Sequence, residues 1–393
     1  MAESLRGQID ISKQKYPEYL INIIKIIKYE YDDFIPYADC IGKSVCEYNI
    51  VPENNYILLK NIRSKFFDTL KIDYAKRLYD KSIAIGRKKA RNNPKNYDYQ
   101  NELAIDYMNL ALLQKEHLNN YESAKNNYIM STSISVKLPK DNPEYQYQLA
   151  LEYNNFAVLQ EDQLNDHKSA ESNYKKAIEI GKLLPKNNPE YQDSLAMAYY
   201  NLANLQINTL NDYESAVSNY KKSIEIGKKL PKDNPKYQND LANAYLNLAV
   251  LQEVHFKEYN SAETNYKKEI EIKELLPKDP VYQDSLALAY SNFALFQKDN
   301  LKNRESAETY FKKAIETEKT LLEVNRKLFL IKWVEYKYKL AKLYFDVDKV
   351  KPAKSILEEI KPLAEECLAK NPDDKNTKDV NNLINKLWEK INK

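Results

Sequence analysis

Carboxamides are the most regularly spaced chemical groups in this sequence. Asn109, Asn155, Asn201, Asn247 and Asn292 follow Met108, Asn154, Tyr200, Leu246 and Ser291, so the asparagine recurs while its predecessor changes freely. Successive asparagines stand 46, 46, 46 and 45 residues apart. One carboxamide carries a donor and an acceptor together, the pair that grips a peptide unit through its C=O and N–H. Asparagine is also a mediocre helix former, because its amide competes for backbone bonds. Five copies at one helical position therefore need a reason. Two readings stay open: the amides hold a bound chain, or they bridge neighbouring helices and have survived duplication.

Other reactive side chains form no constellation. His117, His167 and His255 are isolated near expected turns, each without a second ligand at metal spacing. Cys40 and Cys46 are too far apart for a C-x-x-C site. With Cys367 they make three cysteines in 393 residues, which is no disulfide framework and points to a reducing cytosol. Ser123, Ser169, Ser215, Ser261 and Ser306 recur beside alanines but have no partner histidine. Five glycines leave little material for phosphate-cradling loops, and neither GxGxxG nor GxxxxGK[ST] occurs. No catalytic role, metal or cofactor is expected.

Charge excludes a further class. Sixty Lys+Arg balance 57 Asp+Glu, for a net charge of +3, so a dedicated nucleic-acid surface is not expected. The recurring lysine pairs, such as Lys175-Lys176, have an acidic neighbour one turn on and read as a solvated helix face. The longest apolar stretch, Leu20 to Ile27, is interrupted by Asn22 and Lys25 and is too short to span a bilayer. The first residues lack the layout of a signal peptide. These features predict a cytoplasmic protein without nucleic-acid or membrane partners.

The elements that must position the asparagines follow from the same period. Blocks such as YQNELAIDYMNLALLQ from Tyr99 and YQNDLANAYLNLAVLQ from Tyr237 recur, each followed by a second block such as YESAVSNYKKSIEIGKKLPKDNP from Tyr213. Self-similarity at this period signals stacked repeats. In the third copy Leu195, Ala196, Tyr199, Leu202, Ala203 and Gln206 fall on one arc at 3.6-residue spacing, a first helix. Ala216, Tyr220, Ile224 and Leu230 form the stripe of a second. Pro139, Pro185, Pro231 and Pro277 stop the second helices. Asn142-Pro143, Asn188-Pro189, Asn234-Pro235 and Asp279-Pro280 place an N-cap before a first-turn proline and start the next helix. Alanines at 111, 157, 203, 249 and 294 face alanines at 124, 170, 216, 262 and 307, allowing close helix approach.

These residues resemble the tetratricopeptide repeat family, in particular its longer-period members with an N-L-A core like that of kinesin light chain, as in many archaeal and bacterial arrays. The small–small contact of the family matches Ala203 with Ala216, and its second-helix aromatic matches Tyr220. Two features depart from it. Glutamine (Gln114, Gln160, Gln206, Gln252, Gln297) stands where an aromatic usually closes the first helix, and the second helix is expected to run about two turns longer. The resemblance covers roughly residues 95 to 326. It implies an all-α, right-handed superhelical solenoid of antiparallel helix pairs.

The expected organisation is therefore an N-terminal helical segment over residues 1–55, a worn repeat over 56–94 and five clear repeats over 95–326. A divergent repeat over 327–372 and a capping helix over 373–393 follow. The cap is expected to bury Val380, Leu383, Ile384, Leu387 and Ile391.

At about 100° per residue, Asn201 lies near 200° from Tyr199, away from the core arc. Ile105, Leu151, Met197 and Leu288, then Leu112, Val158, Leu246, Val250 and Leu295, flank the asparagines on that face, with Asn204 and Asn243 as polar interruptions. An apolar strip opposite the core marks a ligand groove unless the curvature of the array buries it. The resemblance implies that the asparagines hold the backbone of an extended peptide. The expected function is thus a scaffold for another protein or an extended peptide. The alternative is a regulatory or sensor subunit whose shape changes when it binds a signal peptide or small ligand.

Overall fold

The structure, a computed structural model, describes residues 72–392. The expected segment 1–55, the start of the worn repeat, and Cys40 and Cys46 lie outside the described residues. The described residues form thirteen α-helices and no strand. They divide into two compact units, one ending at Pro185 and the other starting at Lys186.

The first unit contains α1 (Ile72–Asn92), α2 (Tyr97–Glu116), α3 (Tyr121–Ser135), α4 (Pro143–Asp162) and α5 (His167–Leu183). Each helix packs on the next, and α2 also touches α4. The second unit contains α6 (Pro189–Leu205), α7 (Tyr213–Gly227), α8 (Pro235–Leu251), α9 (Tyr259–Glu274) and α10 (Pro280–Asp299). It continues with α11 (Arg304–Phe345), α12 (Val350–Lys370) and α13 (Lys375–Ile391). Packing again runs between neighbours, with α6 touching α8 and α11 touching α13.

Local chemistry sets these boundaries. Asn142, Asn188, Asn234 and Asp279 accept backbone N–H groups at the starts of α4, α6, α8 and α10, each with proline in the first turn. At the starts of four second helices the backbone N–H groups of Ser123, Ser169, Ser215 and Ser306 donate to the N-cap side chains, whereas Glu258 before Ser261 makes no such cap. The facing alanines at 111 and 124, 157 and 170, 203 and 216, 249 and 262, and 294 and 307 are fully buried. Leu138, Leu184, Leu230 and Leu276, each just before a proline, are buried as well. Burying one such side chain contributes about 1.5–3 kcal/mol.

Two expectations need correction, at α11 and α13. The second helices are the shorter half of the repeat. They span 15, 17, 15 and 16 residues in α3, α5, α7 and α9, against 20 in α2, α4 and α10. The first helices α6 and α8 reach 17 residues and then run into a π-helical turn of five, Gln206–Leu210 and Gln252–Phe256. The leucine–proline stop truncates the second helix, so the added length goes to the first. Next, α11 continues from the second helix of the fifth copy into the following pair across a kink at Asn325, because no proline breaks the chain there. Finally, α13 buries Val380, Ile384 and Leu387 but leaves Leu383 44% exposed.

The turn between paired helices is built alike in every copy. Asn119, Asn165, Asn211, Lys257 and Lys302 adopt a left-handed conformation with φ of 49° to 56°. The next residue donates its N–H to the carbonyl of Gln114, Gln160, Gln206, Gln252 or Gln297 at 2.8–2.9 Å. In four copies the same glutamine's side-chain oxygen accepts from Asn127, Asn173, Asn219 or Asn265 on the second helix, at 2.6–2.8 Å. The glutamines that replace an aromatic are therefore a polar clasp, which holds the first helix against the second and fixes its outward face.

Candidate functional site

The five asparagines lie on the first helices α2, α4, α6, α8 and α10, and all are half-buried. Their face is less open than the helical wheel suggests. Asn247 Nδ2 donates to the Tyr200 hydroxyl at 2.9 Å and to Asn204 Oδ1 at 3.0 Å, bridging α8 to α6. Asn204 Oδ1 also accepts from the Tyr220 hydroxyl at 2.5 Å, which ties α7 into the same network. In the first unit Asn155 Nδ2 lies 3.9 Å from Met108 Sδ, again toward the preceding first helix. Asn247 thus makes the interhelical bridge that was one of the two readings of the sequence. Asn109 and Asn292 make no side-chain hydrogen bond among the described residues.

The apolar flanks are divided. Ile105, Leu112, Leu151, Val158, Met197, Leu246 and Leu295 are half-buried. Leu112, Leu246 and Leu295 pack against the cores beneath them. Val250 and Leu288 remain 40% and 45% exposed on α8 and α10. Between first helices run polar ties that the sequence did not announce. The Tyr145 hydroxyl donates to Asp98 at 2.6 Å, and burial, then that carboxylate, pushes its pKa up to about 12. Lys332 Nζ stands 2.6 Å from Asp284, and Lys236 Nζ stands 2.5 Å from Asp193.

A cavity of about 240 Å³ lies among α6, α7 and α8. Met197, Tyr200 and Asn201 wall it from α6, and Asp240, Leu241 and Asn243 from α8. Ser223 and Gly227 of α7 also line it. A Cβ at Gly227 would stand 3.1 Å from Leu241 Cδ1, so glycine lets α8 approach closely. Asp193 is buried, whereas Lys236 is half-exposed and also lies 3.2 Å from Asp240 Oδ2. Burial raises the Asp240 pKa, Lys236 opposes the shift, and Asp193 adds to it. Met197, Asn201 and Asn243 were singled out in the sequence, but Asp193, Asp240 and Ser223 were not. Their signal lay in the differences between copies: Glu269 and Lys273 stand one repeat on from Ser223 and Gly227.

The second helices carry the lysine pairs, and in several of them one lysine has an acidic partner on the same helix. Lys175, Lys267 and Lys312 pair with Glu171, Glu263 and Glu308 one turn earlier, at 2.6–2.9 Å. Lys176, Lys222 and Lys313 stand over the rings of Tyr153, Tyr199 and Tyr290 at 4.9–5.4 Å from the centroids, a cation–π arrangement. His255 stacks on Tyr213 at 3.8 Å. Among the described residues no group of three His, Cys, Asp or Glu is placed to hold a metal ion. No described helix is long and apolar enough to cross a membrane.

Residues 196–228, which run from the middle of α6 to the residue after α7, match the model of the tetratricopeptide repeat. No curated protein matches the chain. Among solved structures, BtubC (BKLC) from P. vanneervenii is similar, with 20% identity over 64% of this chain and 92% of that one and a TM-score of 0.52. The apo form of RapI has 15% identity over 81% and 100% of the two chains and a TM-score of 0.48. A tetratricopeptide repeat protein from Parabacteroides merdae has 17% identity over 84% and 99% and a TM-score of 0.41. The likeness to BtubC is one of fold, and the matched segment is one helix pair of a unit whose pattern recurs along both compact units. Within this chain, the α6–α7 pair is the segment that matches the tetratricopeptide repeat.

Proposed function

We propose that the chain is a protein-interaction scaffold that takes an extended segment of a partner along the first-helix face of the second unit, with Asn201, Asn247 and Asn292 as polar contacts. The observation that carries this reading is the exposure of Val250 and Leu288 beside those carboxamides. Solvent-exposed valine and leucine next to donor–acceptor amides fit a partner that offers both apolar side chains and peptide groups.

The test is to recover the partner from the native host by cross-linking and mass spectrometry, and then to measure its affinity for variants. Val250→Asp with Leu288→Asp changes two exposed residues and should weaken binding at least tenfold with the helical signal unchanged. Asn201→Ala with Asn247→Ala removes the amides, and each lost pair of bonds costs on the order of 1–3 kcal/mol in a dry groove. Unchanged affinity in both variants would move the binding surface elsewhere.

A further inference from the structure

The junctions between successive repeats in the second unit differ in one respect. At the α8–α9–α10 junction, Glu269 and Lys273 point inward from α9, at 0% and 2% exposure, with Nζ 2.7 Å from Oε1. One repeat earlier the same two positions are Ser223 and Gly227, and there the cavity of about 240 Å³ opens among α6, α7 and α8. The wall changes in the opposite sense. Asp240 lines the cavity where Ser285 stands in the filled junction, and Asp193 stands where the filled junction has Asn239. One junction therefore carries its own buried ammonium. The preceding junction lacks that lysine and has two carboxylates on its walls, with only the half-exposed Lys236 shared between them. The local balance of Asp193, Asp240 and Lys236 is one net negative charge.

We infer that this cavity is a subsite for a lysine side chain presented by the bound partner, which enters where Lys273 sits in the neighbouring junction. The inference rests on the scaffold reading above and adds the chemistry of one anchor. The size suits it: pockets for drug-sized ligands run to about 300–1,000 Å³, whereas this cavity fits one long side chain. Met197 and Leu241 give the methylene stem an apolar wall, and Asp240 with Asp193 meets the ammonium.

The probe is Nα-acetyl-lysine methylamide, titrated against the full chain labelled at its methionine methyl groups, with Nα-acetyl-norleucine methylamide as the uncharged control. A saturable shift of the Met197 methyl is expected with the lysine compound, and about tenfold weaker binding with norleucine, the loss of one charge contact. Ser223→Glu with Gly227→Lys copies the filled junction and should abolish the shift. Asp240→Ser, the change that the following repeat already carries at Ser285, should weaken binding about tenfold even if the filled variant does not fold. Equal response to both compounds, no response to either, or a shift that survives Asp240→Ser would overturn the inference. Those outcomes leave partner binding and its loss in Val250→Asp with Leu288→Asp intact, so the two readings fail separately.

Discussion

Two glutamates are buried without forming an ion pair among the described residues. Glu152 is fully buried on α4, accepts from Ser135 Oγ at 2.8 Å, and has a pKa that burial pushes up to about 7. Glu318 on α11 is fully buried, and both of its oxygens lack hydrogen-bond partners. Burial and the nearby Asp284 push its pKa up to about 8 against the opposing Lys332. Each group is therefore neutral in the folded chain well above the ordinary value of 4.5. The unfolded chain ionises first as pH rises, so this stabilisation is complete below the unfolded value and is lost by about pH 7 for Glu152 and pH 8 for Glu318. Glu318→Gln should thus gain on the parent from pH 5 to pH 8, at a slope of up to roughly 1.4 kcal/mol per pH unit. Urea melts of the second unit at three pH values measure this directly. A variant-to-parent difference that is the same at every pH would show that Glu318 ionises as freely folded as unfolded.

Within a helix pair, the clasp between glutamine and asparagine is the polar counterpart of the alanine contact. Gln206 is buried and accepts from Asn219 at 2.8 Å, while its carbonyl holds the turn through Asp212 N at 2.9 Å. Removing one partner leaves the other buried without a bond, a cost of about 1–3 kcal/mol, whereas replacing both with apolar groups can be nearly neutral. Asn219→Ala should destabilise the second unit by that amount. Gln206→Leu with Asn219→Leu should cost less than the sum of its single changes, as read by a double-mutant cycle. Additive losses would mean that the two side chains do not act as a pair. The fifth copy tests the idea within the chain: Tyr310 replaces the asparagine, and Gln297 instead donates to Glu263 at 3.1 Å.

In the second unit, α13 buries Val380, Ile384 and Leu387 against α11 and α12. Trp388 is half-buried beneath Lys354 at 5.7 Å. A terminal repeat without such a cover exposes the apolar face of its last pair. Three buried side chains at about 1.5–3 kcal/mol each are a large share of the stability of a unit this size. Deleting residues from Asp373 onward should therefore lower the melting temperature and promote aggregation. A truncated chain as soluble and as thermostable as the parent would make α13 an appendage.

The sequence by itself determined the helices, their pairing and their punctuation, because these depend on local rules. Proline stops, asparagine caps and a 3.6-residue apolar stripe act within a few residues, and α4, α6, α8 and α10 begin at the expected prolines. The alanine contacts were legible for the same reason, since only a small residue lets two helices approach. The candidate site was legible in part: the asparagine face was placed on the first helices, but its openness was not. Tertiary structure decided that Asn247 is engaged by Tyr200 and Asn204, residues more than forty positions away. It also decided that the glutamines serve as clasps, and that Glu152 and Glu318 are buried. The cavity at Ser223 and Gly227 belongs to this second class. A small residue creates space only when the neighbouring helix does not fill it, and which side chain reaches across a junction depends on the distance and direction of two separate helices.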